Sequence, residues 1–159
     1  MDNKDVKIRR ATLSDFRKIQ ELNQLLFHSD FQFDKTLKLD WPKSREGINY
    51  FKTSINSKKS CVFVADIENQ IVGYLIGADL GIQKDRNMGK LGELESIFIL
   101  EKYRNFNIGS NLIGKFLNWC KRREIKKVRV EAYAKSEYTI KFYKKNKFVE
   151  RDLILERGI

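Results

Sequence analysis

Gly92-Glu93-Leu94-Glu95-Ser96-Ile97-Phe98-Ile99 runs through a charged stretch into Arg104-Asn105-Phe106-Asn107-Ile108-Gly109-Ser110. From there Ile108, Leu112, Ile113, Phe116, Leu117 and Cys120 recur every three or four positions. The first segment is β-branched and strand-sized, and the spacing of the last predicts an amphipathic helix. A strand that passes through a polar turn straight into a helix leaves the first N–H groups of that helix without internal partners. The amides of Phe106 through Ser110 could therefore converge on a diphosphate, aided by the helix dipole, with Gly109 allowing close backbone approach.

Downstream, Lys126 to Ala132 alternates Val128, Val130 and Ala132 with charged residues, as a half-buried fifth strand does. A fourth helix is expected over Ser136 to Asn146 and a final strand over Phe148 to Leu155. Upstream, Val6 to Ala11 is a short strand, and Thr12-Leu13-Ser14-Asp15 forms a capping box ahead of Phe16, Ile19, Leu22 and Leu26 at helical spacing. Residues 28 to 43 form a loop with Phe31, Phe33 and Trp41 among Asp30, Asp34 and Asp40, after which Ile48, Phe51 and Ile55 mark a second helix. Ser60 to Asp66 and Gln70 to Asp79 are two more strands, with Glu68-Asn69 as a tight hairpin turn between them. Strands that give way to alternating helices and strands indicate a mixed α/β sheet.

At 159 residues the chain has the size of one compact domain. No run approaches the ~18 consecutive apolar residues of a membrane span. Residues 1 to 15 mix charges of both signs and lack the apolar core of a signal peptide, so the cytoplasm is expected. Cys61 and Cys120 sit inside apolar patterns as buried thiols, and His28, the single histidine, cannot build a zinc constellation. Of the net charge of +11, residues 101–159 carry 16 Lys/Arg against 7 Asp/Glu. That asymmetry calls for a polyanionic partner, either nucleic acid or a phosphorylated cofactor, or is simply a solvated basic surface.

The loop at 104–109 resembles the acyl-coenzyme-A loop of the GNAT superfamily, Arg/Gln-x-x-Gly-x-Gly/Ala, with Arg104 and Gly109 matching and Asn107 standing at the first glycine. The stretch from Ser136 to Phe148 is similar to the family's Asn-x-x-Ala-x-x-Phe-Tyr-x-x-x-Gly-Phe. Phe142, Tyr143 and Phe148 match there, while Ser136, Thr139 and Lys147 replace Asn, Ala and Gly. Ile8-Arg9-Arg10-Ala11-Thr12 with Asp15 is likewise similar to the family's opening.

The resemblance implies a single domain over 1–159, with a mixed, mostly antiparallel sheet of six or seven strands, about four helices, and a splay between strands four and five. Residues 1–90 would carry the acceptor-side loop 28–43, and residues 91–159 the acyl-CoA half. Acetyl-CoA would be the co-substrate, with no metal. It would be held by main-chain groups of Ile97, Phe98 and Ile99, by Arg104, Asn105, Phe106, Asn107, Ile108, Gly109 and Ser110, and by Ser136 and Tyr143.

On the same resemblance Tyr143 is the general acid toward the departing thiolate. Glu93, Glu95 and Glu131 are the candidate bases, the first two sharing a face of strand four, where mutual repulsion favours a raised pKa. The aspartates and aromatics of the loop suit a cationic primary amine, of a small molecule or a protein, attacking the thioester directly in a ternary complex. A neighbouring subunit could complete the groove. A basic nucleic-acid-binding module and a non-catalytic acyl-CoA sensor are the competing readings, although no recognised nucleic-acid motif is present.

Overall fold

In β2 (Ser60–Ile67) Cys61, Phe63 and Ala65 turn to one face and Val62 and Val64 to the other, and all five are buried. A strand buried on both faces needs a layer on each side. The computed structural model, which describes residues 6–159, has both layers. Helices α1 (Phe16–Asp30) and α2 (Arg45–Asn56) cover the Val64 face through Ile19, Leu22, Phe51 and Ile55. On the Phe63 face, α3 (Ile108–Arg122) and α4 (Glu137–Lys145) pack through Leu112, Ile113, Phe116 and Tyr143. The first five residues of the charged opening stretch lie outside the described residues.

The sheet contains, among the described residues, β1 (Lys7–Arg10), β2, β3 (Gln70–Ile82), β4 (Lys90–Ile99) and β5 (Ile125–Val130) in sequence order across it. The first three pairings are antiparallel and the last is parallel. Glu68 and Asn69 take φ of 49° and 63°, so the β2–β3 hairpin closes through two left-handed residues, whose twist matches that of the strands they join.

Six or seven strands were expected and five form. The stretch from Phe148 to Leu155, read as the final strand, pairs with nothing among the described residues. A strand persists where a ladder and a covered face stabilise it. Leu153, Ile154 and Leu155 are consecutive rather than alternating, and each is more than 70% exposed. At the other end, α1 continues through His28 to Asp30, so the first residues expected in the acceptor loop form the last turn of a helix. A 3-10 turn at Trp41–Lys43 with Pro42 closes that loop.

β4 has two unlike halves. Leu91 to Leu94 pair with Lys127 to Val130 of β5, but beyond Leu94 the two strands part, and Ile97, Phe98 and Ile99 pair with β3 alone. This is the expected splay. At the junction Ile76 pairs with Ser96 and Gly77 with Leu94, so Glu95 is one residue too many, a β-bulge. The bulge reverses the alternation. Leu94, Ile97 and Ile99 all pack toward α3, whereas Phe98 packs toward α1 and α2.

The N-terminal capping box forms: the Thr12 N–H donates to Asp15 Oδ2 at 2.8 Å. Arg9 tightens it by forking onto Asp15 at 2.7 and 2.9 Å while its Nε donates to Asp66 of β2 at 3.0 Å. One guanidinium thus ties β1, β2 and the start of α1 together.

Candidate active site

The loop between β4 and α3 begins with a 3-10 turn at Glu101–Tyr103 and then needs two left-handed residues, Asn105 at φ 67° and Asn107 at φ 59°. Asparagine reaches that region more readily than other residues with a Cβ, so Asn107 keeps a shape that a glycine would take without strain. Asn107 is the N-cap of α3, and no side chain caps the helix. The Asn111 N–H is the first to find its helical partner, Asn107 O. The amides of Ile108, Gly109 and Ser110 therefore stand at a positive helix end as free donors for an anion.

Two residues of this loop also hold neighbouring elements in place. Arg104 Nε donates to Ile99 O at 3.0 Å, and its guanidinium lies over the rings of Phe98 and Tyr138, so it clamps the end of β4. Gly109 makes room for α4: a Cβ there would stand 2.8 Å from Cζ of Phe142.

That contact positions the next residue. Tyr143 is buried, with its ring against Phe142 and Phe148. Helix α4 ends in a Schellman arrangement, with Lys147 N–H to Lys144 O and Phe148 N–H to Tyr143 O, while Lys147 takes φ 68°. Lysine thus occupies in strained form the conformation of the family's glycine. At the other end of α4, buried Ser136 is the N-cap, and its hydroxyl donates to Thr139 Oγ1 at 2.8 Å. Burial first, and then the charge of Asp30, pushes the Tyr143 phenol well above its ordinary value, so it stays protonated.

The three glutamates differ in their settings. Glu93 accepts from Arg129 Nε at 2.8 Å across the β4–β5 pairing. Glu95, at the bulge, accepts from the Tyr50 hydroxyl of α2 at 2.7 Å. Leu94 between them turns toward α3, so both carboxylates turn the other way, as a same-face pair. Desolvation raises the Glu95 pKa, with repulsion from Glu93 a smaller contribution. Glu131 is exposed just past the end of β5, which stops at Val130 rather than at Ala132.

Asp30 is the residue the sequence reading underused. It was counted among the loop acids, but it ends α1 half-buried, and its charge reaches Tyr74, Tyr133 and Tyr143. Nearby, Tyr133 stacks on Phe33 and donates to Asp34 Oδ2 at 3.4 Å, joining the acceptor-side loop to the turn after β5. The signal available in the sequence was spacing: Asn23 and Asp30 are seven residues apart, on one face of an extended α1.

Comparison with known proteins gives the family and the fold. The sequence model of the Acetyltransferase (GNAT) family fits residues 20–148. The chain belongs to that family. It is 24% identical over 152 residues to an N-alpha-acetyltransferase of Sulfurisphaera tokodaii, covering 92% of this chain and 82% of that one. It is 30% identical over 86 residues to an uncharacterized N-acetyltransferase of Archaeoglobus fulgidus, an alignment covering 54% of this chain and 58% of that protein. The fold superposes on a Bacillus halodurans protein solved as a tetramutant with a TM-score of 0.85, at 17% identity, covering 96% of this chain and 99% of that one. An aminoglycoside N-acetyltransferase in complex with CoA superposes with a TM-score of 0.75 at 14% identity, covering 96% and 94%.

Proposed function

We propose that this chain is an N-acetyltransferase that moves an acetyl group from acetyl-CoA to a primary amine of a small molecule or a protein, by direct attack in a ternary complex. The observation that carries the reading is the uncapped start of α3, held next to Tyr143 by the packing of Phe142 on Gly109. The free amides of Ile108, Gly109 and Ser110 would take the coenzyme's diphosphate, with Asn105, Phe106 and Asn107 shaping the loop that presents them. Arg104 would act by fixing the end of β4, and Ser136 by starting α4.

Beyond Leu94, β4 has no strand on the side away from β3, and there its main chain over Ile97, Phe98 and Ile99 would take the pantetheine arm as an added strand and polarise the acetyl carbonyl, with Ile99 O already held by Arg104 Nε. Tyr143, kept protonated by burial, would give its proton to the departing thiolate. Acids and aromatics from Asp30 to Trp41, with Tyr133, suit a cationic acceptor, and Glu93, Glu95 and Glu131 add negative potential along the same side. The relatives named for N-alpha-acetylation and for aminoglycoside acetylation both act on amines, and the family supports acetyl-CoA as donor.

The test is release of free coenzyme A thiol from acetyl-CoA across a panel of N-terminal peptides, polyamines and aminoglycosides. Amine-dependent release is expected. Tight CoA binding with no release for any amine or acyl group would leave the sensor reading in its place.

A further inference from the structure

Of the three glutamates, Glu95 is the one held by a neutral donor. Glu93 is neutralised by Arg129 at 2.8 Å, and Glu131 is exposed past the end of β5. The Tyr50 hydroxyl of α2 donates to Glu95 Oε2 at 2.7 Å, while Glu95 Oε1 accepts nothing from the described residues and no cation among them pairs with this carboxylate. A hydroxyl fixes a carboxylate without cancelling its charge, so the attraction for an ammonium is left over. The backbone puts this pair at the splay. Leu94 makes the last pairing with Val130, Glu95 is the bulged residue after it, and the stretch of β4 that pairs with β3 alone begins next. Its contact with α2 turns Glu95 to the face opposite α3 and Tyr143.

Tyr50 is itself fixed by packing. Its ring lies 5.7 Å from that of Trp41 and 5.2 Å from that of Phe51, which is fully buried. Trp41, in the turn that closes the acceptor-side loop, stacks on Phe27 at 5.7 Å with 4° between the rings. The loop and the carboxylate thus share one line of contacts, from Trp41 to Tyr50 to Glu95. Beside it an open groove of about 510 Å³ runs between α2 and the β3–β4 strands, lined by Glu46, Asn49, Tyr50, Thr53, Asp79 and Glu95. The charged groups that face the carboxylate are Glu46 from α2, Asp79 from β3, which Arg123 holds at 3.1 Å, Lys59 from the turn before β2, and Glu93 on β4 itself.

We propose, building on the acetyltransferase reading above, that Tyr50 is a positioning residue of the transfer: its hydroxyl holds the Glu95 carboxylate at the splay, with Oε1 left to take a proton from the ammonium of the bound amine. The ammonium gives one proton to Glu95, and the freed nitrogen lone pair attacks the thioester carbon. A C–N bond forms while the carbonyl π pair moves onto oxygen. When that pair returns, the C–S bond breaks, sulfur leaves with the bonding electrons and takes the Tyr143 proton. The nitrogen's second proton restores the phenol, and Glu95 returns its own to solvent. The balance is an ammonium and a thioester giving an amide, a thiol and one proton. Desolvation favours the protonated Glu95 carboxyl, the Tyr50 donation opposes it, and the charge of Glu93 adds a smaller push upward. Burial, and then the charge of Glu95, holds the Tyr50 phenol well above its ordinary value, so it donates without giving up its own proton.

The experiment measures kcat and KM from pH 5 to 9 for the full chain and for Tyr50→Phe, Glu95→Gln and the two combined, using the best amine of the panel. In the unsubstituted protein kcat/KM is expected to fall on the acid side as Glu95 takes up its proton. Tyr50→Phe keeps the ring packing and removes the hydroxyl alone. It lowers kcat about tenfold, moves the acid limb to higher pH, and leaves KM for acetyl-CoA within about twofold. Glu95→Gln lowers kcat about a hundredfold and removes the limb. In the Glu95→Gln protein, Tyr50→Phe lowers kcat by less than about twofold more, because the two residues act through one contact. A limb that stays in place in Tyr50→Phe, one that persists in Glu95→Gln, or losses that multiply in the combined variant overturn the proposal and leave the acetyltransferase reading intact. Absence of amine-dependent release from the unsubstituted protein removes both. Should Tyr50→Phe fail to bind CoA, a ring-fluorinated tyrosine in place of Tyr50, a stronger donor, is read instead: the limb then moves to lower pH, and an unmoved limb overturns the proposal.

Discussion

The ring of Phe142 closes over Gly109 so tightly that a methyl group on residue 109 would sit 2.8 Å from Cζ and 2.9 Å from Cε2. Gly109→Ala must therefore push α4 away from the start of α3. A loss of about 1–3 kcal/mol is expected from the overpacking, read by urea unfolding. Phe142→Leu in the same chain should recover much of it, because two residues in contact do not act additively. Equal and additive losses in the two single variants would show that the contact is not the cause.

Lys147 holds φ 68° at the end of α4, a conformation that costs a residue with a Cβ roughly 1–2 kcal/mol. Lys147→Gly should stabilise the protein by about 1 kcal/mol and raise Tm by roughly 2–4 °C, as followed by calorimetry. Asn107→Gly should gain less, because asparagine already tolerates the left-handed region. A lower Tm for Lys147→Gly would contradict the Schellman description.

Acid sensitivity follows from Arg9 and Asp15. The fork from Arg9 holds the Asp15 carboxyl below its ordinary value, despite burial acting the other way. The folded state then binds fewer protons than the unfolded one, so this contribution is complete above the unfolded pKa of about 4 and is lost as pH falls through the lower folded value. Arg9→Met leaves Asp15 and Asp66 without their cation. It should cost on the order of 3 kcal/mol at neutral pH and flatten the dependence of stability on pH below about 4. Unfolding curves across pH 2 to 7 would show it, and parallel profiles for the two proteins would argue against it.

Tyr143→Phe separates chemistry from binding. Turnover should drop about a hundredfold while CoA affinity, by calorimetric titration, stays within about twofold. Because burial raises the phenol pKa, no alkaline limb due to Tyr143 is expected below about pH 10. A limb near pH 8 that disappears in Tyr143→Phe would mean the phenol ionises in the working range.

Most of the fold was legible because local chemistry and tertiary context agreed. The period of Ile108, Leu112 and Phe116 fixed α3, Glu68-Asn69 fixed a hairpin, and Thr12 with Asp15 fixed the entry to α1. The motif residues Asn107 and Lys147 could be placed because both backbone positions demand positive φ whichever side chain supplies it. Cys61 and Cys120 are buried free thiols, as their apolar settings suggested, and burial pushes both up to about 12.

Phe148 to Leu155 misled, because β-propensity says nothing about whether a neighbouring edge is available. The reach of Arg104 back to Ile99 O and the charge of Asp30 on Tyr143 depend on which elements meet, and no spacing in the chain reports that.

The extra residue at Glu95 makes β4 two half-strands in opposite phase. Deleting it would leave Leu94, Ser96, Ile97, Phe98 and Ile99 in unbroken register against Gly77 to Gly73, with Ile97 and Ile99 still toward α3 and Phe98 still toward α1 and α2, and would remove only the bend and the carboxylate that the Tyr50 hydroxyl reaches. The extra residue thus adds a bend and a carboxylate where β4 parts from β5, without cost to the packing on either face.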